Sequence, residues 1–279
     1  MSILVSLWTD WFLSAICLAV AALIPVVYLV LKSTTKRPTF LEPNIFKELP
    51  LIDKKVLSYN TRLFRFGLPT KDTLLGLPIG QHITFKAKDG DGKDFFRPYT
   101  PTTDDDTPGH VDFVIKVYPE GKMSQHLDKM DVGQTMLFKG PKGRYQYQEG
   151  SLHAIGMLAG GTGVTPMFQV ANAILKNPAD KTQITLLFAN VSADDILIEE
   201  ELTNLQALSP QFKVHYVLNK PPPGWTGAEG FISSELIKSH FPPPGEGVKI
   251  LRCGPLPMNK AMKAHLDALG YTPDMQFEF

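Results

Sequence analysis

His153-Ala154-Ile155-Gly156-Met157-Leu158-Ala159-Gly160-Gly161-Thr162-Gly163-Val164-Thr165-Pro166-Met167 is the stretch on which the fold turns. From Ala154 to Ala159 it is a continuous apolar run, the pattern of a strand buried on both faces of a parallel sheet. The glycines that follow stand where such a strand meets a helix. Residues 165–175 read as that helix, with Pro166 suited to its first position. Downstream the alternation repeats: strand 184–189, helix 194–208, strand 212–218, helix 233–240, strand 248–253 and helix 257–269. This predicts a doubly wound parallel sheet. Two Pro-Pro-Pro-Gly blocks, at 221–224 and 242–245, read as rigid loops within the series.

Upstream the signals change. Residues 56–66 end in period-two alternation, closed by Gly67-Leu68-Pro69. Segments 79–85, 95–100, 110–117 and 134–139 read as further strands, and 122–130 as one short helix. Asp89-Gly90-Asp91-Gly92 and the loop 104–109 supply turns. Closely spaced short strands with a single helix predict a small antiparallel β-barrel. The expected division is a barrel domain over 41–148 and an α/β domain over 149–279, with 33–40 as a linker.

Lys plus Arg and Asp plus Glu number 28 each in 279 residues, so the net charge is zero. A general nucleic-acid binder needs a basic excess to displace phosphate counterions, so that class is excluded. A hydrophobic share of 43% excludes a wholly disordered chain. Cys17 and Cys253 are too few for a disulfide framework or a Cys-rich zinc site, and no metal is expected.

Between Trp11 and Leu31 no side chain is charged, and only Ser14 and Pro25 fall outside the hydrophobic class. A helix of that length spans about 30 Å, a bilayer core. Asp10 precedes the run, and Lys32, Lys36 and Arg37 follow it. The positive-inside rule then places the C-terminal side in the cytosol. Residues 1–32 are expected to form a transmembrane anchor. Ser2, where myristoylation requires glycine, excludes that lipid.

Five segments can carry chemistry. Gly160-Gly161-Thr162-Gly163 departs from the dinucleotide fingerprint at Pro166. It is either a variant phosphate loop at a helix N-terminus or a tight turn. Cys253-Gly254-Pro255-Leu256-Pro257-Met258 ends a strand on the same carboxyl edge, where open α/β sheets bind ligands. Cys253 itself can be plain apolar filler or a group of that crevice. Arg97-Pro98-Tyr99-Thr100 sets a phosphate-pairing guanidinium beside a ring able to lie on a flat heterocycle. Arg and Tyr are also ordinary on exposed barrel faces. Gly121-Lys122-Met123-Ser124 is an anion site or an ordinary helix start. Asp194-Asp195 follows the second parallel strand, where an acid can bond an adenosine ribose or cap a helix.

In order and spacing these segments, together with the terminal Phe279, closely resemble the NADH–cytochrome b5 reductase family of ferredoxin-reductase-like flavoproteins. The resemblance runs over 41–279, and the N-terminal run is similar to that of fungal-type membrane-anchored members. It implies FAD in the barrel domain and NADH in the α/β domain. Arg97 would pair with the FAD phosphates, Tyr99 and Thr100 would line the isoalloxazine and ribityl chain, and Pro98 between them would also belong to the cofactor site. Val114, Lys116 and Tyr118 would continue the flavin wall, and Gly121, Lys122, Met123 and Ser124 would hold the pyrophosphate. Thr165 would reach across from the second domain. Gly161, Thr162, Gly163, Asp195, Cys253, Gly254, Pro255 and Met258 would form the NADH side, with Phe279 closing the chain. No side chain is implied as an acid–base catalyst, since hydride passes directly between the cofactors with Cys253 near the nicotinamide. Tyr59 departs from the family, many of whose members place His there.

The implied acceptor is cytochrome b5. The iron protein of diphthamide synthesis is an alternative within the same chemistry, and a non-catalytic membrane-tethered nucleotide-binding module is one from another class. A monomer is expected, with cytosol-facing domains, on the mitochondrial outer membrane rather than the endoplasmic reticulum.

Overall fold

Phe64, Phe66, Phe85, Phe113 and Phe138 are fully buried in one core, and the last four meet largely edge to face, with Phe85 and Phe138 ring centroids 4.5 Å apart. Around this cluster the computed structural model, which describes residues 37–279, wraps an antiparallel sheet. Its strands are β1 (Lys47–Val56), β2 (Thr61–Gly67), β3 (His82–Lys88), β4 (Asp94–Tyr99), β5 (His110–Lys116) and β6 (Thr135–Lys142), in the order β4-β3-β6-β1-β2-β5. Helix α1 (Lys122–Asp128) precedes β6. β1 pairs with β6 over Lys47–Pro50 and with β2 from Leu51 onward, with a register shift between Leu51 and Asp53. A strand that changes partners at such a shift bends, and the bend lets the two halves of the sheet close over one core. The chain after β4 is tied to β5 by Thr102 N–H donating to Asp112 O at 2.9 Å.

The expected strand over 56–66 is here the end of β1, a turn and β2. Asn60 Oδ1 accepts from Ser58 Oγ and Thr61 Oγ1, at 3.4 and 3.1 Å, and this polar turn interrupts the run. β1 begins at Lys47, within the stretch 33–50 that reads in the sequence as a linker plus an entry strand; Pro50, between the buried Leu49 and Leu51, masks their alternation.

The second sheet holds β7 (Ala154–Gly160), β8 (Gln183–Asn190), β9 (Phe212–Leu218), β10 (Ala228–Glu229), β11 (Val248–Cys253) and β12 (Gln276–Glu278). All pairs are parallel, in the order β10-β9-β8-β7-β11-β12. Helices α2 (Val164–Lys176) and α3 (Glu199–Leu208) cover one face, and α4 (Ser234–His240) and α5 (Leu256–Ala268) the other. This is the doubly wound arrangement expected from the sequence. The helix read over 194–208 is split, however. A single short turn at Ala193–Asp195 is followed by an irregular stretch, and α3 starts only at Glu199. Leu197 and Ile198 are buried there, Ile198 with φ +49°. A β-branched residue rarely adopts that conformation, so packing overrides the local helical preference.

The expected anchor lies outside the described residues. Among the described residues no helix is long and apolar enough to cross a membrane.

Candidate functional site

The strand order reverses at β7, whose neighbours are β8 and β11, and open α/β sheets place ligands at such a switch point. Gly160 ends β7, and Gly161-Thr162-Gly163 make a single turn into α2. Gly161 has φ +53°, which favours glycine. At Gly163 the constraint is space: a Cβ would sit 2.1 Å from Cys253 O, so this turn packs directly on the Cys253–Gly254 peptide. At Gly160 a Cβ would meet Met258 Sδ at 2.4 Å.

A cavity of about 880 Å³ is lined by residues of both sheets, within the roughly 300–1,000 Å³ typical of cofactor sites. The antiparallel sheet contributes Pro98, Tyr99, Thr100, Val114, Lys116 and Tyr118. The parallel sheet contributes Gly161, Thr162, Gly163, Thr165, Cys253, Gly254, Pro255, Met258 and Phe279. Residues separated by more than 150 positions therefore share one wall.

Several contacts seat the two sheets around it. Gly80 N–H donates to Gln169 Oε1 at 2.9 Å, and Asp104 takes both Asn172 Nδ2 and Lys176 Nζ. Phe279 is placed by its own N–H, which donates to Arg252 O at 3.1 Å, and by Tyr145, whose ring lies 5.6 Å away. Arg252, buried, fixes β12 through a 3.0 Å ion pair to Glu278.

Six expected residues lie off the wall. Arg97 is exposed on β4, donates to Phe96 O at 2.8 Å, and has no acidic partner among the described residues. Gly121, Lys122, Met123 and Ser124 open α1. Ser124 Oγ donates to Gly121 O at 3.0 Å and accepts from Tyr118 N–H at 3.2 Å. Met123 is a core side chain, so only its backbone can face a ligand. Lys122 lies 3.6 Å from Asp89.

Asp195 is the sixth. Its carboxylate turns towards the other sheet, accepting from Lys116 Nζ, from Tyr59 Oη at 2.8 Å and from Ser192 Oγ at 2.8 Å and N–H at 3.2 Å. Burial alone would raise this carboxyl, but the hydrogen bonds from Lys116, Tyr59 and Ser192 outweigh it and hold it far below the usual carboxylate range. Tyr59, which departs from the family pattern, is thus part of an inter-sheet clasp.

The wall also holds residues that motif reading passed over: His82, Asn190, Asn219, Phe231 and His265. None belongs to a recognisable motif. Only the carboxyl-edge position of Asn190 and Asn219, at the ends of β8 and just past β9, was a usable signal. His82 is kept below its ordinary pKa by burial and by Lys142.

Burial pushes the Tyr99 hydroxyl up to about 12 and, with Glu278 adding to it, the Cys253 thiol up to about 11. Near neutral pH both are uncharged, so the wall around Cys253 offers dipoles and apolar surface and no thiolate. Alkylation of Cys253 by iodoacetamide, followed by peptide mass spectrometry, is expected to be slow at neutral pH. It should accelerate about tenfold per pH unit, well past the ordinary thiol value of about 8.5. A fast, pH-independent rate would contradict that environment.

Such a wall suits a planar heterocycle beside a second nucleotide. The chain's relatives agree. A family model described as "Oxidoreductase FAD-binding domain" matches residues 48–147, and one described as "Oxidoreductase NAD-binding domain" matches 157–264. NADH–cytochrome b5 reductase 1 of Arabidopsis thaliana is 56% identical over 250 residues, covering 89% of each chain. The protein of the same name from Dictyostelium discoideum is 50% identical over 239 residues, covering 86% of this chain and 83% of that one. The crystal structure of the cytochrome b5 reductase domain of Ulva prolifera nitrate reductase superposes with a TM-score of 0.82 at 38% identity, over 87% of this chain and 100% of that domain. With geometry and sequence in agreement, the chain belongs to the NADH–cytochrome b5 reductase family.

Proposed function

We propose that the protein transfers electrons from NADH through FAD to cytochrome b5. The observation that carries this is the convergence of Tyr99 and Thr100 with Gly161–Gly163 and Cys253 on one cavity. The bound cofactors supply hydride transfer from nicotinamide to flavin and single-electron release to a haem protein. What the chain's own residues do is bind and orient. Tyr99, Thr100, Val114 and Phe279 offer a largely apolar wall that would take the flavin ring, and Arg97 and the backbone of Gly121–Ser124, which lie beyond that wall, would hold its phosphates. Gly161–Gly163 would offer N–H groups to the second pyrophosphate, and Thr165, on the same cavity wall, would meet the flavin side. Cys253, as a neutral thiol, would pack beside the nicotinamide. No side chain need move a proton for the hydride step, so positioning is the protein's main contribution.

The uncharged run at 11–31 and the basic residues after it support a transmembrane anchor over 1–32, with both catalytic domains facing the cytosol. The resemblance to fungal-type members supports the mitochondrial outer membrane. Sharing a membrane with the acceptor raises its effective concentration, and a monomer suffices for this reaction.

The purified protein is expected to show flavin absorbance that bleaches on anaerobic addition of NADH and recovers on adding oxidised cytochrome b5. A colourless protein, or bands unmoved by NADH, would overturn the proposal. Arg97→Ala should lose one charge-assisted pair, worth about 1.5–3 kcal/mol, and hence FAD occupancy after gel filtration. Full retention of the chromophore would rule out that pairing.

A further inference from the structure

Phe96, midway along β4, is 44% exposed. Side chains alternate across a strand. Ile83, Phe85 and Ala87 of β3 enter the Phe core, so Lys86 and Lys88 project to the solvent side. Lys86 stands opposite Phe96 on β4 and Leu137 on β6, and Lys139 of β6 stands opposite Thr84. Phe46, just before β1, joins them. Lys139 Nζ lies 4.6 Å from the centre of its ring and Lys86 Nζ 5.3 Å, while the Phe46 and Phe96 rings are 5.9 Å apart. The outer face of β4-β3-β6-β1 thus interleaves rings with ammonium groups. Antiparallel sheets usually turn polar residues to water, and exposed apolar side chains rimmed by charge mark a surface that meets something else. On this face Lys86, Lys88 and Lys139 outnumber Glu48 and Asp94, and Asp94 is held by Lys86 at 2.7 Å.

The path of the chain indicates what covers it. Eight residues lead from Leu31, the end of the uncharged run, to Thr39, where the first folded contact forms. Such a link spans at most about 28 Å. A folded body the length of Thr39–Phe279 has a radius of gyration of about 18 Å, so the link is shorter than the body is wide. Lys47 Nζ donates to Phe40 O at 2.9 Å and lies 5.4 Å from the Phe40 ring. These contacts fix the point of entry beside the start of β1, and hence beside Phe46. Lys32, Lys36 and Arg37 continue the basic character along the link.

Resting on the anchor proposed above, we propose that the outer face of β4-β3-β6-β1 lies on the anionic lipid surface of the membrane that holds the anchor. Phe46 and Phe96 enter the headgroup layer, as the apolar side of an interfacial segment does. Lys86, Lys88 and Lys139 meet lipid phosphates, their stems packed along the rings. A tether alone limits distance; a seated face also limits rotation, and so holds the cavity in one orientation to the membrane.

The test uses the full-length, FAD-loaded protein with Phe96→Cys on a Cys17→Ala background, the new thiol carrying an environment-sensitive NBD dye. The Cys17→Ala protein treated alike supplies the blank. Leu208→Cys, at an 83% exposed site on α3, is the control position. Vesicles are of phosphatidylcholine alone or mixed with phosphatidylinositol. With mixed vesicles the dye at 96 is expected to brighten and shift to the blue, and the dye at 208 to stay unchanged. Salt at 1 M, where the screening length is about 3 Å, should reverse the response. Lys139→Gln leaves the Lys86–Asp94 pair intact and should lower the ratio of seated to free protein about fivefold, one cation's share at such a surface. No response at 96, an equal response at 208, or indifference to lipid charge and salt would each overturn the proposal. So would a blue shift that grows with protein concentration without vesicles, since a second copy would then cover the face. Flotation with phosphatidylcholine vesicles in 1 M salt tests the anchor separately. Failure to float would count against the anchor, and the dye at 96 in mixed vesicles at low salt would still judge the face.

Discussion

Gly163→Ala is expected to leave a yellow, FAD-bearing protein that NADH reduces about a hundredfold more slowly, because a shift of about 1 Å in the turn suffices for a loss of that size. The added Cβ would stand 2.1 Å from Cys253 O, 2.5 Å from Cys253 C and 3.0 Å from Gly254 N. All three are backbone atoms, so no rotamer change relieves the contact. The β7 turn and the β11 turn must part, and these are the two turns that line the proposed NADH side of the cavity. The antiparallel sheet is untouched, which is why the flavin stays. Gly160→Ala is the internal control. Its Cβ would meet Met258 Sδ at 2.4 Å, the flexible end of a side chain, with Pro255 Cδ at 3.1 Å. A milder effect follows. Stopped-flow reduction of both variants checks the contrast, and equal rates would show that backbone contact at Gly163 is not what sets the turn.

Asp195→Ala carries the second large effect. Lys116 and Asp195 side chains are 11% and 6% exposed, and the pair joins β5 of one sheet to the segment after β8 of the other. Removing one partner leaves a buried ammonium unpaired, at a cost of about 3–5 kcal/mol. In a domain pair of this size that lowers Tm by roughly 10 °C or more. Tyr59 loses its acceptor in the same step. Tyr59→Phe removes one hydrogen bond and leaves the ion pair, so its cost should be about 1 kcal/mol. Since both Asp195 oxygens face protein donors, the ratio of kcat/KM for NADH and NADPH should hardly move. A large change in that ratio, with Tm intact, would restore Asp195 to the ribose. The pH dependence has a definite sign. Asp195 is held below its unfolded value of about 4, so its contribution is present above that pH and fades as pH falls through it. The Tm gap between Asp195→Ala and its parent should therefore be constant near neutrality and narrow only in acid.

Much of the architecture was legible beforehand. The apolar run before Gly160 announced a strand buried on both faces, and β7 spans Ala154–Gly160. Strands β9 and β11 fall at the residues expected, 212–218 and 248–253. The misreadings have local causes with tertiary winners. The polar turn around Asn60 divided the run 56–66 between two strands, and buried Leu197 and Ile198 broke a segment whose composition favours helix. The motif segments reached the cavity wall where they lie at carboxyl edges. Met123, inside the phosphate-binding motif, turned inward to the core instead.

Pattern and spacing determined the two sheet types, their order in the chain and the glycine turn at the switch point, because each depends on residues within a few positions of one another. The partners of Asp195 and the meeting of Lys86 and Lys139 over Phe46 were decided only by tertiary structure. Tyr59 and Asp195 are 136 positions apart and meet because two independently formed sheets seat against each other. Whether a buried carboxylate is paired depends on that seating, and no local period encodes it.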